Sequence, residues 1–167
     1  MEQIFQKVSG AKMLSLLDSF SSYNQVLVSP TDQLKTTFRT PSGTYAYRKM
    51  PFGLINAGDT FQRAMGAAFR GLINHSIVVY LDDVTVFSKN RSNHISHLRK
   101  VLERCRKFGI SLNPKKTIFA VIEGILIGFV VSKEGIMIDL ERTEAISRIP
   151  FPFTKKSMQS FMGKIIS

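Results

Sequence analysis

The tetrapeptide Tyr80-Leu81-Asp82-Asp83 constrains this chain more than any other feature. It follows the apolar run Ile77-Val78-Val79 and precedes Val84-Thr85-Val86-Phe87. Both flanks are short and rich in β-branched residues, the composition of buried strands joined by a tight turn. Two adjacent carboxylates repel and raise each other's pKa. Held between buried strands, they call for a compensating cation, and hard divalent ions such as Mg²⁺ prefer oxygen ligands. The alternative is a polar hairpin turn in which the acids serve only the local backbone.

Upstream, the apolar run Met13-Leu14-Ser15-Leu16-Leu17 ends in a single acid, Asp18, and continues as Ser19-Phe20-Ser21-Ser22-Tyr23-Asn24-Gln25. A third carboxylate at a strand end, added to the paired acids, can complete a two-metal site of the kind that aligns an attacking hydroxyl with a leaving oxygen. Between these elements lie Tyr47-Arg48-Lys49-Met50-Pro51-Phe52-Gly53-Leu54-Ile55-Asn56-Ala57 and Thr60-Phe61-Gln62. Downstream come Leu112-Asn113 with Lys116, and a closing Ser160-Phe161 with Gly163. Taken in this order, with Tyr23 five residues after Asp18, the series resembles the reverse transcriptases of gypsy-type long-terminal-repeat retrotransposons, from about Lys12 to the C-terminus.

Composition is consistent with that resemblance. The 167 residues suit one domain able to bury a substantial core. A net charge of +11, from 23 Lys+Arg against 12 Asp+Glu, favours polyanionic partners, because each neutralised phosphate releases counterions. The single cysteine, Cys105, excludes an internal disulfide, fits a reducing compartment and falls in a helical pattern where packing is its expected role. The sequence carries no signal peptide and no apolar stretch long enough to span a bilayer; Ile125 to Val131 is interrupted by Gly128.

Periodicity predicts helices over 57–73, 93–108 and 154–166, with apolar faces at Phe61/Met65/Ala68/Phe69/Leu72, Ile95/Leu98/Val101/Leu102/Cys105 and Met158/Phe161/Met162/Ile165. Strands are expected near 13–18, 26–28, 35–40, 44–48, 77–80, 84–87, 117–121, 125–131 and 136–138. Ser42-Gly43 and Lys133-Glu134-Gly135 are turn signals. Strands and helices mixed without βαβ repetition point to an α+β fold, helices covering one face of a mainly antiparallel sheet. His94 and His97 stand one helical turn apart, but no Cys or further His completes a zinc set.

The resemblance implies a polymerase palm with part of the fingers, residues 139–167 beginning the thumb, within a longer Pol polyprotein. It implies that Asp18 and Asp82 bridge two Mg²⁺ ions, with Mn²⁺ an alternative, and that Asp83 binds one of them or shapes the site. By the same likeness, Tyr23 lies under the incoming sugar and excludes a ribose 2′-hydroxyl, while Phe52 and Gly53 contact nucleotide and template. Gln62 matches a glutamine near the template, and Tyr80 opens the acid motif at the substrate. Lys116 matches a lysine on the nucleic-acid backbone, and Ile127-Gly128-Phe129 the hairpin that grips the primer end; in isolation the latter is a strand with a glycine bulge. The implied partners are an RNA or DNA template with a DNA primer, deoxynucleoside triphosphates, and the fingers, thumb, connection and ribonuclease H segments of the same polyprotein. The implied setting is a cytoplasmic retrotransposon particle or the nucleus, with no membrane.

The chain departs from the family pattern at Ser22, Asn24, Gly58, Asp59 and Thr117, where glycine, histidine, proline, alanine and cysteine are usual. None of these removes a candidate catalytic acid. Two function classes stay open: an RNA-directed DNA polymerase, whose isolated palm is expected to be inactive, and a decayed or domesticated nucleic-acid-binding module on the same fold. A metal-dependent nuclease would share the acids but leaves Tyr23 and the Met50–Leu54 stretch unexplained.

Overall fold

The apolar runs around the acid motif become the middle of an antiparallel sheet. In the computed structural model, which describes residues 2–81 and 83–166, α1 (Glu2–Val8) leads into β1 (Met13–Asp18). Then come the single turn α2 (Pro30–Gln33), the hairpin β2 (Phe38–Thr40) and β3 (Gly43–Tyr45), and α3 (Ala57–Ala68). β4 (Ile77–Tyr80) and β5 (Asp83–Ser88) flank the acids, and α4 (His94–Phe108) follows. The remaining elements are β6 (Ile118–Val121), β7 (Gly124–Leu126), β8 (Phe129–Ser132), β9 (Gly135–Ile138), α5 (Leu140–Ser147) and α6 (Lys155–Ile166). The main sheet has the order β4-β5-β1-β6, all pairs antiparallel. β2–β3 and β7–β8–β9 form two smaller antiparallel sheets. This is the α+β architecture expected from the sequence.

Strand alternation assigns the two faces of the main sheet. Leu17, Ile77, Val84 and Val86 pack with Phe61, Met65 and Ala68 of α3 and Val101 and Cys105 of α4. Leu14, Val78 and Phe87 pack on the other side with Val8 of α1, Leu126 of β7 and Val131 of β8. Burial on both faces is why β4 and β5 read as nearly continuous apolar runs. Cys105 belongs to the first of these cores, and burial pushes its thiol up to about 11, as expected of a packing cysteine.

α4 is tied to the sheet by a buried polar relay. The His94 ring is buried and shares hydrogen bonds with Ser15 Oγ (2.8 Å) through Nε2 and with Ser88 Oγ (3.0 Å) through Nδ1. Ser88 Oγ also meets His97 Nδ1 at 2.8 Å, and the Ala120 amide donates to Ser15 Oγ at 3.0 Å. That last bond falls where the β1–β6 register shifts and Ala120 has φ +54°, so a side chain replaces the interrupted ladder. The two histidines are thus hydrogen-bonding anchors within one relay.

Several expected boundaries move for local reasons. The helix expected over 57–73 stops at Ala68, and Gly71, at φ +82°, turns the chain toward β4. The strand expected at 26–28 is a lone bridge, Leu27 to Lys49, flanked by hydrogen bonds Val28 N to Arg48 O and Met50 N to Val26 O. Pro30 starts α2 immediately after it. The single strand expected over 125–131 is instead the hairpin β7–β8. Leu126 pairs with Phe129, and Ile127 and Gly128 both take positive φ (+53° and +76°), the pattern of a two-residue primed turn and not of a bulge. α1 and α5 were not anticipated. Among the described residues no helix is long and apolar enough to cross a membrane.

Candidate active site

Asp18 ends β1 and Asp83 begins β5, and the antiparallel register sets them opposite each other. Tyr80, the last residue of β4, pairs with Asp83. The three therefore form one row across β4, β5 and β1, in phase with Leu14, Val78 and Phe87 and away from α3 and α4. Leu81 makes the tight turn with φ +49°. Asp82, the first acid of the sequence motif, lies outside the described residues.

Like charges directly opposite on neighbouring strands are destabilising. Part of the compensation is supplied by Lys116, whose Nζ lies 3.7 Å from Asp18 Oδ2. Lys116, expected as a contact to a nucleic-acid backbone, is paired here with Asp18. The Asp18 side chain is 25% exposed and the Lys116 side chain 70%, so the pair sits at the rim, screened by solvent. A cleft of about 600 Å³ opens beside it, lined by Asp18, Asp83, Lys116, Thr85, Glu123 and Ile125 among others.

Backbone bonds carry Lys116 to this place. The Asn113 amide donates to Asp18 O (2.8 Å) and the Phe20 amide to Ser111 O (2.9 Å), so the segment before β6 runs alongside the end of β1. Gln25 staples the two stretches: Nε2 donates to Phe20 O and to Ser111 O (3.0 Å), and Oε1 accepts from the Ser111 amide (2.7 Å). The same staple fixes the one-turn helix Ser22–Gln25 that carries Tyr23. The half-buried Tyr23 ring meets Phe52 edge-on at 4.9 Å and Phe61 at 5.5 Å. A Cβ at Gly58 would reach the Tyr23 hydroxyl at 4.0 Å, an ordinary contact, so the space beside Tyr23 does not require glycine there.

The remaining expected site residues divide. Phe52 and Gly53 are exposed in the loop before α3, and Gly53 has φ +94°, which side chains rarely tolerate. Gln62 is exposed on α3 and does not line the cleft. Ile127 and Gly128 form the tip of the β7–β8 hairpin, whose Ile125 and Leu126 do line it. Two residues that sequence reasoning passed over have clear places here: Gln25 as the staple and Glu123 in the cleft wall. Neither carries a pattern signal, because a lone polar residue in a loop reads as solvated.

The donor set is hard oxygen on a rigid strand pair, which suits Mg²⁺ or Mn²⁺. Among the described residues no three His, Cys, Asp or Glu side chains converge on a common metal position. Asp18 and Asp83 supply two carboxylates, and the sequence adds Asp82 next to them.

The chain matches, over residues 1–163, the family model described as reverse transcriptase (RNA-dependent DNA polymerase). It is 36% identical over 160 residues to the retrovirus-related Pol polyprotein from transposon gypsy of Drosophila melanogaster, covering 96% of the chain and 16% of that polyprotein. It is 34% identical over 156 residues to the Pol polyprotein from transposon opus of the same fly, again covering 16% of the relative. Among solved structures it is similar to the foamy viral protease-reverse transcriptase in complex with an RNA/DNA hybrid, with TM-score 0.84 and 23% identity over 97% of the chain and 22% of that protein. The foamy viral protease-reverse transcriptase dRH in complex with double-stranded DNA gives TM-score 0.84 at 23% identity, over 96% of the chain and 28% of that protein.

Proposed function

We propose, because the chain belongs to the reverse transcriptase family, that it is the palm of an RNA-directed DNA polymerase within a retrotransposon Pol polyprotein. On this reading it transfers deoxynucleotides to a primer 3′-hydroxyl under template direction. The observation that carries the reading is the in-register row Tyr80–Asp83–Asp18, whose two acids line the cleft. Phosphoryl transfer is largely positioning and electrostatics, so carboxylates on a rigid edge are most of what the protein must provide.

Asp18, Asp82 and Asp83 are the residues to hold divalent cations. When bound, such ions, two Mg²⁺ in this proposal, supply the Lewis acidity that lowers the pKa of a primer hydroxyl and offsets charge on the triphosphate. The chain's own residues do the rest. Asp18 and Asp83, fixed by cross-strand pairing, need no reorganisation to present their oxygens. Lys116 offsets the repulsion of the acid pair and is exposed enough to turn to a phosphate. Tyr23, braced by Phe52, Phe61 and the Gln25 staple, forms a rigid wall against which a ribose 2′-oxygen would clash. Phe52 and Gly53 offer an exposed ring and a side-chain-free backbone to the nucleotide and template. Ile127 and Gly128 present the hairpin tip to the primer.

The test is Mg²⁺-dependent primer extension by the longer Pol chain carrying Asp18→Asn or Asp82→Asn. Each substitution preserves side-chain size and removes charge, and extension is expected to fall by at least about 100-fold. Extension within tenfold of the parent would refute the assignment and favour a binding module without catalysis.

A further inference from the structure

The opposite end of β5 from the acids carries a second cleft, about 610 Å³, that the polymerase reading leaves unused. Ser88 at that end is roughly 17 Å along the strand from Asp83, at about 3.4 Å per residue. The cleft is lined by Lys7 from the last turn of α1, Asn74 and His75 from the segment before β4, Lys89 and Asn90 after β5, and His97 of α4. Its chemistry is the inverse of the first cleft: ammonium, imidazole and carboxamide groups line it and no carboxylate does.

We propose that this cleft is a binding site for a phosphoryl group. Four cationic or protonatable side chains from four separate segments converge there, an arrangement that attracts a polyanion and repels a metal ion. Among the described residues the ion pairs lie elsewhere, so Lys7 and Lys89 are available to an incoming anion. His97 is oriented by its Nδ1 bond to Ser88 Oγ (2.8 Å), which leaves Nε2 for a ligand. Asn74, held at φ +66° by the bond from its amide to Ile77 O (2.8 Å), contributes a carboxamide on a fixed backbone. The site stands on these residues alone and is independent of catalysis at Asp18 and Asp83.

The phosphoryl group can come from a nucleic-acid backbone or from free phosphate, and one experiment separates them. The intact chain is labelled at histidine, and the ring resonances of His97 are followed during titration with inorganic phosphate and, separately, with a single-stranded oligonucleotide. Both probes are run on the parent, on Lys7→Glu/Lys89→Glu, and on Lys155→Glu/Lys156→Glu, which changes the net charge equally on α6. The expected result is a saturable shift of His97 whose apparent affinity drops at least about fivefold in the first double variant and stays within twofold in the second. Tighter action by the oligonucleotide than by phosphate assigns the backbone source; the reverse assigns free phosphate. His97 resonances unmoved by either probe, or equal losses in both double variants, would overturn the site in favour of diffuse charge attraction. Lys7 and Lys89 are exposed, so folding is retained, and a thermal melt of each variant verifies it.

Discussion

Asp18 and Asp83 face each other across β1 and β5 with Lys116 at 3.7 Å from one of them, so the acid pair has a cation beside it. Both acids were legible in the sequence as strand-end carboxylates in a fixed order. What the sequence left out is the register that pairs them, because a one-residue slip flips a side chain to the other face without changing any local pattern. Tyr23 tests the pocket on the substrate side. With its ring held edge-on between Phe52 and Phe61, Tyr23→Ala opens space without touching the acids. The ratio of kcat/KM for deoxynucleotides over ribonucleotides in the longer Pol chain is expected to fall by at least about tenfold, and an unchanged ratio in a folded variant would return Tyr23 to a packing role. Thr117 offers a stability test. Its Oγ1 is buried and, among the described residues, has no hydrogen-bond partner. Thr117→Val removes that unpaired hydroxyl at constant shape and is expected to add about 1 kcal/mol, raising Tm by about 2–4 °C for a chain of this size. A lower Tm would show that the hydroxyl is satisfied after all.

Among the elements, strands and long helices followed their apolar periods, and errors collected where tertiary contacts decide. Ile127 is a β-branched residue in the left-handed region, so no propensity argument places a hairpin turn there. α1 spans only seven residues and α5 eight, lengths at which helices are marginal without packing. His94 was visible as one of a pair at helical spacing, but Ser15 and Ser88, the strand residues that hold it, carry no pattern that points to the histidine. This relay makes a pH prediction. Burial, and then the charge of neighbouring His97, lower the pKa of His94 from its ordinary value. Below the unfolded value of about 6.5 the unfolded chain takes up a proton that the native ring resists, so this contribution is complete above that pH and is lost as pH falls. Urea midpoints should therefore decline between about pH 7 and 5 in the parent, and less steeply in His94→Gln, which cannot titrate. At pH 8, His94→Gln should be less stable by about 1–3 kcal/mol because Ser15 and Ser88 lose their shared partner. Identical pH slopes would remove His94 as the cause.

Over the whole molecule, the chain's +11 charge was legible from composition, but its distribution was not: the structure separates an acid-rimmed cleft at one end of β5 from a basic one at the other. Binding of an RNA–DNA duplex to this chain is expected to weaken linearly in log K against log salt, with salt-insensitive binding contradicting an electrostatic origin. The acid row itself is proposed as a divalent-cation site. Titrating the chain with Mn²⁺ while following paramagnetic broadening of backbone amide resonances locates that site. Early broadening is expected at Leu16, Tyr80 and Thr85, around the row, weaker broadening at Lys7 and His97 beyond the far end of β5, and at least about tenfold weaker binding in Asp18→Asn. Broadening centred elsewhere, or unchanged by Asp18→Asn, would contradict it.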